Sequence, residues 1–233
     1  NAWITRNASA HGLFYAPDPS SQTACTIGGN IATNSGGPHT LKNGVTTNHV
    51  LGYEMVLPDG TIEWLGVEPD GGEEVAGFDL RGAAIGSEGM FGVVTRVLVR
   101  LMKTPPAFKT FLCVFESVDE ASQAVSGIIA AGIVPAALEM MDQLITQALE
   151  EAYHFGFPLD AGAVLIVELD GLPKGVEQQA KRVEEVCRQN NASEVRLAKD
   201  DAERTALWKC RKRAFGAIGR LSPNYVTQDG VVP

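Results

Sequence analysis

The sequence lacks the features that mark several large protein classes. No apolar run approaches the ~20 residues of a spanning helix, and the N-terminus has no basic segment followed by an apolar one. Only four cysteines occur, Cys25, Cys113, Cys187 and Cys210. They lie far apart with no C-x-x-C pair, which suggests neither a zinc site nor a disulfide framework. Reduced thiols in a cytoplasmic setting are the simplest expectation. Positive charge is scarce: 19 Lys and Arg stand against 28 Asp and Glu, a net charge of −9. That balance argues against general binding of nucleic acid or anionic membrane. The chain is rich in glycine, yet no Lys-Ser/Thr follows the glycines and no G-x-G-x-x-G occurs between a strand and a helix, so neither phosphate-binding fingerprint is present. Internal repeats, low-complexity tracts and an initiating Met are absent too. The chain starts as if inside a helix or loop and stops as if in mid-strand, so it is expected to be a fragment.

What is present is organised around residues 26–37, Thr-Ile-Gly-Gly-Asn-Ile-Ala-Thr-Asn-Ser-Gly-Gly. Glycine pairs let a backbone turn sharply or lie flat against a ligand, and exposed N–H groups in such turns converge on anions. Thr and Asn add side-chain hydrogen bonds. The same composition also makes ordinary turns, and on composition alone the two readings stay open. A turn-rich segment, 38–44, places His39 and Lys42 just after the glycines. Before the stretch, residues 1–13 are expected to be helical and 14–21 extended, because Pro17 and Pro19 bias their predecessors away from the helical region.

At 233 residues, with 45% hydrophobic and 20% charged residues, the chain can hold one large domain or two modest ones. Residues 50–57 and 61–65 are strand-like and bracket Pro58-Asp59-Gly60, a hairpin signal. Residues 70–78 are expected to form a surface loop. A second glycine cluster follows, with Gly86, Gly89 and Gly92, and then a half-buried strand over 93–101 in which Val97, Val99 and Leu101 alternate with Arg96 and Arg100. Pro105-Pro106 marks a boundary, since consecutive prolines stop both helix and ladder. Beyond it strands and helices alternate. Strands are expected at 111–115, 136–140, 163–167 and 193–198. One helix opens at Ser117 with a capping box and carries Ala121, Ala124, Val125, Ile128 and Ile129 on one face. A second is capped by Asp142 with Leu144, Ile145, Ala148, Leu149 and Ala152 on one side. A third opens at Pro173 with Val176, Ala180, Val183 and Cys187 as its stripe, and a single last helix spans 201–219. The pattern predicts an α+β sheet with helices on one face.

The glycine clusters are more telling in their particular residues. Residues 26–37, Gly44-Val45-Thr46, Val56-Leu57-Pro58-Asp59-Gly60, Gly86-Ser87-Glu88-Gly89 and Gly92-Val93-Val94-Thr95 form five ordered motifs. Together they resemble the FAD domain of the vanillyl-alcohol-oxidase, or p-cresol methylhydroxylase (PCMH)-type, flavoproteins. Within that superfamily they are most similar to the group that joins the catalytic chain of glycolate oxidase with the D-lactate and D-2-hydroxyglutarate dehydrogenases. Residues from 107 onward resemble the FAD-linked oxidase C-terminal, or cap, domain.

The resemblance implies residues 1–104 as the C-terminal part of a PCMH-type FAD-binding domain and 107–233 as a truncated, ferredoxin-like α+β cap. It implies FAD as cofactor, with Gly28, Gly29, Asn30, Thr33, Asn34, Gly36 and Gly37 along the flavin and diphosphate. Gly86, Glu88, Gly89, Gly92, Val93 and Val94 would border the adenosine and ribityl parts. Hydride would pass from the Cα of a small 2-hydroxy acid to flavin N5, and electrons would leave to partner subunits or a quinone-linked acceptor. Arg211 matches the cap arginine that grips the substrate carboxylate, a role a planar guanidinium suits. The other reading of Lys209, Arg211, Lys212 and Arg213 is a solvated basic helix face. His39 is expected to be a satisfied turn histidine rather than a flavin attachment point, and Cys25 a small buried filler. Asn43 stands where close relatives often carry an aromatic residue. No metal ligand is implied within the chain. The family's first diphosphate loop, its metal ligands and its base are expected outside these residues, so the chain alone should bind FAD poorly. The resemblance also implies a cytoplasmic place, with peripheral association at a membrane as the second option. The alternatives are another oxidase of the superfamily, acting on a sugar or alcohol or making alkyl-dihydroxyacetone phosphate, and a non-enzymatic glycine-rich binding module.

Overall fold

A computed structural model describes residues 1–72, 77–222, 224–228 and 230. The chain divides into two compact units, Asn1–Pro106 and Ala107–Pro233.

The first unit begins with helix α1 (Ala2–Ala8) and the short strand β1 (Leu13–Phe14). Two short helices follow, α2 (Ile27–Ala32) and α3 (Thr40–Asn43), and then β2 (Val50–Val56) and β3 (Ile62–Gly66). Helix α4 (Leu80–Ala84), β4 (Val93–Val99) and β5 (Met102–Lys103) complete it. The strands form an antiparallel sheet β3-β2-β4 and a pair β1-β5. The hairpin expected around Pro58-Asp59-Gly60 is there. Gly52 faces Gly66 and Val56 faces Ile62, and the Asp59 carboxylate accepts the Thr61 N–H at 2.9 Å. Of the expected surface loop, residues 73–76 lie outside the described residues. The small core holds Ile31, Val50, Tyr53, Met55, Ala84 and Ile85. Burial pushes the Tyr53 hydroxyl up to about 12, and it donates to the Arg81 carbonyl at 2.8 Å.

The glycine stretch, whose composition admits both a ligand cradle and plain turns, is partly helical. Residues 27–32 close a short α-helix because Thr26 caps it, its hydroxyl accepting the Gly29 N–H at 3.1 Å. Helix propensity is poor there, so tertiary packing decides. A Cβ built on Gly28 would sit 2.8 Å from the Val94 carbonyl oxygen, so only glycine lets α2 lie this close to β4.

The second unit runs β6 (Ala107–Phe115), α5 (Val118–Ala130), β7 (Ala137–Asp142), α6 (Gln143–Tyr153), β8 (Ala163–Gly171), α7 (Pro173–Gln189), β9 (Glu194–Leu197), α8 (Asp201–Lys212) and α9 (Ala214–Leu221). Its antiparallel sheet has the order β7-β8-β6-β9. With α5 and α7 as crossovers, this is the β-α-β-β-α-β arrangement of ferredoxin-like folds. The expectation of helices on one face is corrected. Phe111, Cys113, Phe115, Leu165 and Val167 pack against α5 and α7. Leu112, Val114, Val164 and Ile166 pack on the opposite face against Leu149 of α6, Leu207 and Trp208 of α8 and Ala214 of α9. The reason was visible in Ala163-Val164-Leu165-Ile166-Val167: a strand without polar alternation must be covered on both sides.

Helix starts follow their capping signals. Ser117, Asp142 and Asp200 each accept the N–H three residues on. The Ser117 box is half made, because Glu120 turns instead to the Asn191 side chain at 3.0 Å. Two apolar assignments fail: Leu144 is 72% and Ile129 is 42% exposed, since the buried arcs of α6 and α5 are narrower than the apolar stripes. The single last helix breaks at Arg213 into α8 and α9. Replacing Asp142 by Ala is expected to cost about 1 kcal/mol, the usual value for a lost N-cap, read as a lower urea midpoint at unchanged slope.

Candidate functional site

In the first unit the two glycine clusters meet. The Gly86 N–H donates to the Ile31 carbonyl at 2.8 Å, and the Glu88 N–H to the Ala32 carbonyl at 2.7 Å. The turn after α4 is thus bonded to the end of α2. Gly86, Glu88 and Gly89 all have positive φ, which tightens that turn. Thr26, Gly28, Gly29, Gly89, Gly92 and Val94 line a shared cavity of about 250 Å³. Ala84, Ser87 and Met55 join its walls. The motif reading passed over these three: Ala84 and Met55 carry no polar signal, and Ser87 is hidden among glycines.

The remaining expected contacts sort by geometry. Thr33, an exposed residue, donates to the Gly29 carbonyl at 3.1 Å and shares a 2.7 Å hydrogen bond with Ser35. Asn30 is buried and its side chain faces inward: it donates to Asn1 at 2.6 Å and to the Cys25 sulfur at 3.2 Å, and accepts from Ser35 at 3.0 Å. Asn34 accepts the Thr47 N–H at 2.9 Å. These two asparagines hold the loop in shape with their side-chain oxygens. Gly36 and Gly37 are steric necessities, since a Cβ would lie 2.8 Å from Thr40 Cγ2 at the first and 2.5 Å from Asp18 Oδ1 at the second. Val93, exposed, and Val94, half-buried, both line the cavity. His39 pairs with the Asp18 carboxylate at 3.0 Å. Buried His49 meets the Asn43 carbonyl at 2.7 Å and packs edge-on to Tyr15. Among the described residues no cluster of His, Cys, Asp or Glu could hold a metal ion, and no helix is long and apolar enough to cross a membrane.

The cavity fits part of a flavin dinucleotide. Four glycines line it, Gly29 is exposed, and a Cβ on Gly89 would meet nothing within 4 Å, so an extended ligand can lie against the main chain at these positions. At about 250 Å³ it is below the ~300–1,000 Å³ of whole-ligand pockets, so it has room for a portion of such a group and not for all of it.

In the second unit Arg211 sits on α8, and its Nε donates to the Glu139 carboxylate at 2.6 Å. It lines a separate cavity of about 430 Å³ with Met140, Ile145, Phe215 and Ile218 among its walls. Lys209, Lys212 and Arg213 do not line it. Beside Arg211 lies a network the sequence did not announce. Glu168, on β8, is fully buried. It accepts two bonds from Arg204 at 2.7 and 2.9 Å, one from Trp208 at 2.6 Å and one from Thr110 at 2.7 Å. The Glu168 carboxylate raises the Arg204 guanidinium above its ordinary range, and Arg204 also stacks over Phe108 at 4.2 Å. One signal existed: a lone Glu inside an apolar strand is buried, and a buried carboxylate requires a partner.

These units have known counterparts. Residues 3–66 match the model of an FAD binding domain, and residues 104–233 match that of the FAD linked oxidases, C-terminal domain. Along its whole length the chain is 46% identical to glycolate oxidase subunit GlcD of Escherichia coli K12, covering 46% of that protein. The Bacillus subtilis GlcD is 42% identical over 99% of this chain and 48% of its own. The cytochrome-type mitochondrial D-lactate dehydrogenase of Arabidopsis thaliana is 28% identical over 96% of this chain and 39% of its own. The chain therefore spans about half the length, or less, of these curated relatives. Among solved structures, alkyldihydroxyacetonephosphate synthase superposes with a TM-score of 0.72 at 20% identity, over 94% of this chain and 41% of that one. Substrate-bound p-cresol methylhydroxylase gives 0.72 at 17%, over 93% and 48%, a likeness of fold. With the C-terminal model covering more than half of its residues, the chain belongs to the FAD-linked oxidases.

Proposed function

We propose that this chain is part of an FAD-dependent dehydrogenase or oxidase of small 2-hydroxy acids, of glycolate or D-lactate type. In this reading residues 1–104 form the C-terminal part of a PCMH-type FAD domain, and 107–233 form the cap that binds substrate. The carrying observation is that the two glycine clusters, far apart in sequence, are joined by hydrogen bonds and line one cavity. The identity to the glycolate oxidase relatives along the full chain gives the substrate class its direction.

When bound, FAD supplies the two-electron acceptor for oxidation of the substrate CH–OH. The chain's own residues bind and orient. The Gly28 main-chain N–H, at the start of α2, has no partner within the helix and borders the cavity, where it suits a diphosphate oxygen without any Lys or Arg, while the Gly29 N–H is held by the Thr26 cap. Gly89 and Gly92 add no side chain of their own to the cavity wall. Asn30, Asn34 and Ser35 fix the loop between α2 and α3, and Glu88 docks it to the second cluster. Arg211 offers its guanidinium to the substrate carboxylate. Partner subunits receive the electrons, and the protein is cytoplasmic or peripheral at a membrane.

The test uses the natural full-length protein, purified with its flavin. Anaerobic addition of glycolate or D-lactate is expected to bleach the flavin absorbance. Sugars, simple alcohols and alkyl-dihydroxyacetone phosphates are expected to leave it unchanged. Absence of flavin, or bleaching by the second set alone, overturns the reading.

A further inference from the structure

Two carboxylates stand on one face of the second sheet. Ala137 faces Glu168 and Glu139 faces Ile166 in the β7–β8 register, so Glu139 and Glu168 are diagonal neighbours, pointing the same way. That face is otherwise apolar, with Ala137, Met141, Val164 and Ile166. Above it, Arg204, Trp208 and Arg211 are spaced i, i+4, i+7 along α8 and so share one side of the helix. Each hydrogen-bonds to a carboxylate of the sheet.

The two pairs are built differently. Glu168 uses both oxygens against a two-pronged Arg204 and two further donors, and it is fully buried. Among the described residues Glu139 takes only the Nε–H of Arg211. A guanidinium carries five N–H donors. Among the described residues none of the four on Nη1 and Nη2 is hydrogen-bonded, and Arg211 lines the 430 Å³ cavity. With Nε taken from the side, the end-on Nη1/Nη2 edge is what remains, and that edge matches a carboxylate in a two-pronged bond.

Resting on the reading of Arg211 as the substrate-carboxylate group, we propose that Glu139 is its positioning residue. It holds the guanidinium by Nε so that the Nη1/Nη2 fork is preset for a monocarboxylate. Arg has several rotatable bonds, and ordering them before binding removes that entropy loss from the binding step. The charge of Glu139 also acts on selection. The pair is neutral, so a monoanion meets little opposing field, whereas a second carboxylate on the ligand is repelled by Glu139 without a cation of its own. Met140, Ile145, Phe215 and Ile218 likewise suit a carbon substituent, and Asp142, which also lines the cavity, adds to the repulsion of a second negative charge.

The test follows arginine Nε–H resonances of the natural full-length flavoprotein during titration with D-lactate, glycolate and malate. The Arg211 resonance, assigned through Arg211→Lys, is expected to move with the two monocarboxylates and less with malate. Glu139→Ala is expected to weaken D-lactate binding about tenfold. Glu139→Gln keeps an oxygen for Nε–H and should stay within about threefold of wild type while narrowing the gap to malate. Should Glu139→Ala not fold, Glu139→Asp, whose carboxylate is drawn back by one methylene, is expected to show the same loss. The full-length flavoprotein gives the parallel readout, a raised KM at nearly unchanged kcat for Glu139→Ala. If Arg211 ignores both monocarboxylates, the substrate assignment falls and this inference with it. If Arg211 responds but Glu139→Ala, or Glu139→Asp in its place, binds as wild type does, or if Glu139→Ala and Glu139→Gln lose affinity equally, the inference alone is overturned.

Discussion

Arg204→Met is expected to destabilise the second unit by about 3 kcal/mol, the low end of the ~3–5 kcal/mol seen when one partner of a buried ion pair is removed. Glu168 is 0% exposed, and without Arg204 its charge keeps only the Trp208 and Thr110 donors among the four bonds named above. The low end applies because the Arg204 side chain is itself 28% exposed, so water screens part of the pair. The double variant Arg204→Met with Glu168→Leu is expected to recover part of the loss, since no unpaired charge remains. Recovery stops short of wild type because Trp208 Nε1 and Thr110 Oγ1 then lose their carboxylate acceptor, at ~1–3 kcal/mol for a buried donor left unsatisfied. Urea unfolding of the 233-residue chain with Trp3 and Trp64 replaced by Phe, followed by tryptophan fluorescence, reads the transition of this unit through Trp208. A midpoint shift worth less than about 0.5 kcal/mol, the ordinary surface value, would show that the network does not hold α8 to the sheet.

Gly28→Ala is expected to lower flavin affinity of the full-length protein at least about tenfold, that is, ~1.4 kcal/mol or more. The new Cβ would lie 2.8 Å from the Val94 carbonyl oxygen, a backbone atom that cannot swing aside. Either α2 lifts from β4 or β4 bends, and both move the cavity wall. Gly89→Ala and Gly60→Ala separate shape from strain. Both glycines have φ above +80° and no atom within 4 Å of a built Cβ, so each substitution carries the same ~1–2 kcal/mol left-handed penalty. Only Gly89 borders the cavity. Gly89→Ala should therefore reduce both stability and flavin binding, and Gly60→Ala stability alone. Equal flavin affinity in the two variants would remove the second glycine cluster from the cofactor site.

Local chemistry decided most elements from the sequence. Asp142 and Ser117 start helices because a short polar side chain reaches the N–H three residues on, and Pro173 does so because its φ is already helical. The 50–65 hairpin and the alternating strand at 93–99 follow from turn residues and period-two patterning. The five ordered motifs carried the family and the cofactor class.

Tertiary structure decided what local chemistry does not encode. Thr26-Ile27-Gly28-Gly29 contains no good helix former, and it became a helix because β4 and the turn at Gly86 hold it. Asn30, expected to face a cofactor, faces Asn1 and Ser35, because a buried amide takes whichever partners the fold places beside it. Arg211 and Glu139, and likewise Arg204 and Glu168, lie on different elements, and periodicity reports which side of an element is buried but not what lies across from it. The sequence by itself determined the elements, the two glycine clusters and the family. Only packing decided that the clusters share one cavity and that each arginine on the buried side of α8 meets its own carboxylate. Those pairings depend on register and helix placement, set by the whole core at once.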